Sequence, residues 1–141
     1  MSDDQYVDGE VEVEEEESEN EYPVLSAQDI RVVEDVMVEK LFIPEWKGHV
    51  YVRGMTGSQR DYFDGLISEA EKKGFAKAKV RATVACMCLC DGEGKRLFNY
   101  RKKEHVEDMG KRSAYPLDRI FAVIMRLSGL SSEEFSEIRG N

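Results

Sequence analysis

The sequence predicts an α+β fold: a mostly helical single domain with a small N-terminal antiparallel β-hairpin. Three observations predict it. Period-2 alternation is confined to the stretch from Asp35 to Arg53 and is interrupted by "PEWKG". Apolar residues at helical spacing dominate from Phe63 to Leu127. Ser or Thr cap signals stand at the start of several of these helical stretches.

An acidic segment comes first. Residues 1–21 carry eleven Asp or Glu and no Lys or Arg. With −9 on the whole chain and −11 in this stretch, the remainder sums to +2. A run so charged and so poor in apolar residues cannot bury enough surface to offset the entropy of ordering. Residues 1–23 are therefore expected to be a disordered acidic tail, ending at Pro23, and residues 24–141 the domain. The chain's length suits one modest core.

The elements follow in order. "LSAQDIR" suits a short helical turn capped by Ser26. Asp35 to Ile43 reads as a strand. Val36, Val38, Lys40 and Phe42 lie on one face, and Met37, Glu39, Leu41 and Ile43 on the other. Neither face is purely polar, so both are expected to be partly covered. Pro44 ends the strand because it cannot donate to a ladder. Gly48 frees the connection, and His49 to Arg53 is the return strand. Thr56 and Gln59 form a capping box for a helix reaching about Lys73, with Phe63, Leu66, Ile67 and Ala70 as its apolar stripe and Gly74 as its stop. A second helix is expected over Ala76 to Cys90, with Val80, Val84, Met87 and Cys88 at helical spacing. "DGEGK" is a turn. "RLFNY" is extended, either a third strand or a tether. "RKKEHVEDMG" suits a short helix ending at Gly110. Ser113 opens the strongest helix, with Pro116 tolerated in the first turn and Leu117, Ile120, Phe121, Ile124 and Leu127 on the buried face. Gly129 stops it. Ser131 and Glu134 signal a last short helix.

Composition and motifs bear on function class. The chain lacks the strongly basic patch expected of a nucleic-acid binder. No apolar run approaches the ~20 residues that span a bilayer. The acidic start is unlike a signal peptide, and three cysteines packed into Cys86–Cys90 are unlike a secreted disulfide framework. A reducing cytoplasm is the natural compartment. The cysteines offer no second ligand pair for zinc, so they read as core residues and no metal or cofactor is expected. His105, within "KKEHVED", reads as a solvated surface side chain. Nucleophile elbows, phosphate loops and dinucleotide fingerprints are absent from the sequence, and an enzyme is not expected.

A group of motifs in fixed order carries a resemblance. "IPEWKGHVYVRGMTGSQRD" precedes the helices, "DGEGKRLF" follows the second of them, and "LDRIFAVIMRLSGLSSEE" closes the chain. Over about residues 26–139 the sequence resembles the tail assembly chaperones of long-tailed bacteriophages and prophages, the siphophage type in its short form. The acidic tail departs from the compact family pattern. The resemblance implies a protein that binds the tape measure protein during tail morphogenesis. It would keep that partner soluble until major tail tube protein subunits polymerise around it, act in the host cell cytoplasm, and be absent from the mature virion. A frameshifted longer form and homo-oligomers are further implied partners; nucleic acid and membrane are not. A holding protein needs aromatic anchors on a rigid frame. Trp46, on the hairpin turn, and Tyr62, beside the first helix's stripe, are the candidate partner-binding residues. The alternative for Trp46 is that it folds back over Tyr51 or the first helix and closes the core. Two rival functions are an acidic inhibitor or DNA mimic directed at a basic partner, and a zinc or redox protein built on the cysteines.

Overall fold

The computed structural model describes residues 18–130. Most of the acidic run and the helix expected at Ser131 lie outside them. The chain divides at Asp35 and Val36 into two compact units. In the first, Ser18 caps a 3-10 turn at Glu19–Glu21. Helix α1, Ala27–Arg31, follows. Its capping box is complete: the Ser26 hydroxyl accepts from the Asp29 amide at 3.2 Å, and the Asp29 carboxylate accepts from the Ser26 amide at 2.9 Å.

The second unit is an α+β body. Strands β1 (Val38–Ile43), β2 (Gly48–Arg53) and β3 (Leu89–Cys90) form an antiparallel sheet in that order. The expected hairpin is present, and it lies mid-chain. Its register pairs Leu41 with Val50 and Ile43 with Gly48. Leu41, Ile43, Val50 and Val52 turn toward the helices, while Val38 and Phe42 are exposed on the other face.

Helix α2 spans Gly57–Lys73 and buries Phe63, Leu66 and Ala70, with the Thr56–Gln59 box formed as expected. Gly74, at φ 98°, closes it. The single helix expected from Ala76 to Cys90 is instead three elements. A one-turn helix α3 (Phe75–Ala78) ends at Lys79, which takes a left-handed conformation with φ 55°. Helix α4 (Val80–Cys88) follows, and the chain then extends into β3. Ala78 and Val80 explain the break. Both are buried, yet residues two apart point to nearly opposite sides of a straight helix. The extension has a second cause: Leu89 and Cys90 pair with Val52 and Tyr51. "RLFNY" is therefore the tether. Only a single bridge, Arg96 to Cys90, joins it to the sheet.

Helix α4 is buried from Ala82 to Cys88, on all sides, which suits the central helix of a small core. Around it pack α5 (Lys103–Gly110) and α6 (Ala114–Leu127). Helix α6 ends in a Schellman motif: the Leu130 amide donates to Met125 O at 3.0 Å, the Gly129 amide donates to Arg126 O at 3.2 Å, and Gly129 sits at φ 84°.

Candidate functional site: a tryptophan groove beside the hairpin

The indole's placement begins with Pro44. Its fixed φ opens a 3-10 turn, Pro44–Trp46, and Lys47 reverses the chain at φ 55°. The turn is then tied to α6. Both terminal guanidinium nitrogens of Arg119 donate to the Glu45 carboxylate, at 2.8 and 2.9 Å. Arg126 donates to Glu39 of β1 at 2.7 Å. The bidentate pair holds the Glu45 carboxyl well below its ordinary range, at about 2. Trp46 therefore stands on a clamped support.

Trp46 is half-buried against the core. It walls a groove of about 560 Å³ whose apolar lining includes Val50, Leu89, Leu97, Phe98 and Met109. Asp108, Lys111 and Arg112 supply the polar rim. Leu97 is 52% exposed. Volume and apolar lining lie in the range of ligand and peptide sites. The rim is mixed in sign, and Lys111 and Asp108 pair at 3.8 Å while both stay largely exposed. Trp46 does not pack on Tyr51, whose ring lies beside Gly92 on the other face of the sheet.

Tyr62 sits elsewhere. It meets Tyr100 edge-on, with ring centroids 5.0 Å apart. The Arg101 guanidinium lies 4.9 Å from its ring and 5.3 Å from that of Tyr100. This cluster fastens α2 to the tether. Tyr62 is not among the residues that line the groove beside Trp46.

One residue was misplaced by sequence reasoning. His105 is half-buried, and its Nδ1 accepts from the Asn99 amide at 2.9 Å. It organises the tether and is not a solvated side chain. Cys86 and Cys88 lie on α4, and Cys90 lies on β3. All three cysteines are buried. Burial pushes the Cys86 thiol up to about 11 and the Cys88 thiol up to about 12. Such thiols are poor nucleophiles and poor metal ligands. Among the described residues, no group of three or more His, Cys, Asp or Glu is placed to hold a metal ion. No helix there is long and apolar enough to cross a membrane.

The groove's walls could not be assembled from sequence. Leu89, Leu97 and Met109 come from three separate segments, and their meeting depends on α4 ending at Cys88. Comparison with family models, curated proteins and solved structures finds no match to this chain.

Proposed function

We propose that this chain is a binding protein of phage tail morphogenesis, not an enzyme, and that it holds the tape measure protein soluble before tail tube subunits assemble around it. The ordered motifs of the hairpin, the turn and the last helix support this reading. The observation that carries it is Trp46 at the wall of an open apolar groove, on a turn fixed by the Glu45–Arg119 pair. A holding protein gains from an aromatic anchor of this kind, used repeatedly along a long partner with modest strength at each contact.

Co-expression with the tape measure protein of the same phage tests the reading. That product is expected to move from the pellet to the supernatant and to co-purify with this chain. Trp46→Ala is expected to weaken co-purification more than it lowers the thermal midpoint. A tape measure product that stays insoluble and unretained beside the wild-type chain overturns the proposal.

A further inference from the structure

We propose that a second groove, beside the break at Lys79, is a docking site for residues 10–17 of the same chain, which lie outside the described residues. The inference goes beyond the chaperone reading and does not rest on it.

The groove has a volume of about 520 Å³ and lies between the α3–α4 junction, the end of α5 and the start of α6. Phe75, Val80, Val106 and Leu117 give it an apolar floor, and Phe75 is 37% exposed. Lys79, Arg81, Lys111 and Arg112 also line it, with Glu107 as the acid among them. Glu107 is shared between Lys79 at 3.8 Å and Lys103 at 3.9 Å. Asp118 pairs with Arg81, and Asp108 with Lys111. Five cations thus meet three carboxylates, and Arg112 pairs with no carboxylate among the described residues. Pairs as exposed as these are weak, so an incoming carboxylate can exchange with them.

An occupant that suits this surface brings carboxylates and small apolar side chains together. Residues 10–17 read "EVEVEEEE", six Glu and two Val with no base. In an extended chain the alternation puts Val11 and Val13 on one side and Glu10, Glu12 and Glu14 on the other. The valines then meet the apolar floor while the glutamates meet the cations, and opposite charge sets the register. Reach does not limit the contact. Residues 18–35 extend over tens of Å even with a 3-10 turn and α1 among them, against a gyration radius of about 13 Å for a domain of about 100 residues. Tethering also holds the segment near its own chain at an effective concentration on the order of millimolar, which favours it over the segment of a second copy. An acidic partner that uses this groove must displace it first.

The test is zero-length carbodiimide coupling of the dilute full-length chain, with the joined peptides mapped by mass spectrometry. Glutamates of residues 10–17 are expected to join Lys79 or Lys111 in preference to other lysines, and to do so less at high salt. Arg81→Gln with Arg112→Gln removes two cations of the groove and leaves every lysine available for coupling. Both side chains are exposed, so the fold should tolerate the change, and the Glu69–Lys73 pair, at 3.1 Å, serves as an internal check by coupling as before. The double variant is expected to lower the yield of the tail links by about tenfold, as loss of interfacial charge does. Val11→Asn with Val13→Asn, which keeps every carboxylate, is expected to lower it several-fold. In a mixture of isotope-labelled and unlabelled chains, each tail link should join peptides of one isotope. Links spread evenly over the lysines overturn the inference. So do yields that ignore either pair of substitutions, or links that join labelled to unlabelled chains.

Discussion

Individual side chains bear unequal loads here, and Glu45 carries one that pH can read. Its carboxyl sits at about 2 in the fold, lowered first by the hydrogen bond from Arg119, against an ordinary 4.5. A lowered folded-state value means the pair's stabilisation is present above the ordinary value and is lost as pH falls through the folded one. Wild type should therefore melt above Glu45→Gln at neutral pH. The gap should narrow below pH 4.5 and close near pH 2. Midpoints that differ equally at all pH values would show that the carboxylate's charge does not matter. The cysteines offer a second reading at this scale. With Cys86 and Cys88 raised to about 11 and 12, and the Cys86 thiol donating to His105 O at 3.5 Å, the native thiols should resist alkylation at mildly alkaline pH. All three should label once denaturant opens the core. Rapid native labelling of Cys86 or Cys88 would mean that α4 opens easily.

At the scale of elements, what the sequence made legible was whatever rests on local chemistry. The Thr56–Gln59 box, the Ser26 cap, Gly74 and the Gly129 stop all depend on residues within a few positions of one another. The break at Lys79 was not legible, because "AKAKVRA" would continue a helix in isolation. Its cause is tertiary: Ala78 and Val80 both need the core. The end of α4 was hidden in the same way, since an unbroken apolar run from Ala82 to Cys90 looks alike as helix or strand. The left-handed Lys79 costs on the order of 1 kcal/mol relative to glycine. Lys79→Gly should therefore raise the melting temperature by a few degrees in calorimetry, the shift such a gain produces in a domain of this size. Its ion pair with Glu107, 3.8 Å and half exposed, subtracts little. Gly54 is the opposite case. A Cβ there would stand 2.7 Å from the Leu127 carbonyl oxygen and 3.1 Å from its carbon, and backbone atoms cannot swing aside. Gly54→Ala should cost about 1–3 kcal/mol in denaturant unfolding, by pushing the end of α6 off the exit of β2. An unchanged unfolding midpoint would mean that this approach is looser than the structure has it.

On the scale of the whole molecule, charge and core are divided along the chain. Among the described residues, every buried member of the hydrophobic core lies at Ile43 or beyond. Residues 1–35 carry fourteen acidic side chains and one Arg, a net of −13, so −9 for the full chain leaves +4 on residues 36–141. The composition showed this imbalance. It did not show which surface of the body carries the positive charge, because that depends on how residues 95–112 wrap beneath the hairpin. Removing residues 1–35 should therefore separate two properties that the intact chain combines. Thermal unfolding of the remaining body should keep its midpoint within a few degrees, because no core side chain is lost. Its charge should reverse: the full chain, with an isoelectric point near 4.8, should bind an anion exchanger at neutral pH, and the truncated body a cation exchanger. Net charge of one sign also keeps copies apart in solution, so the body alone should precipitate at a lower concentration than the intact chain. A midpoint that falls by ten degrees or more, on the order of 2 kcal/mol for a body this size, would mean that the first 35 residues stabilise the core directly.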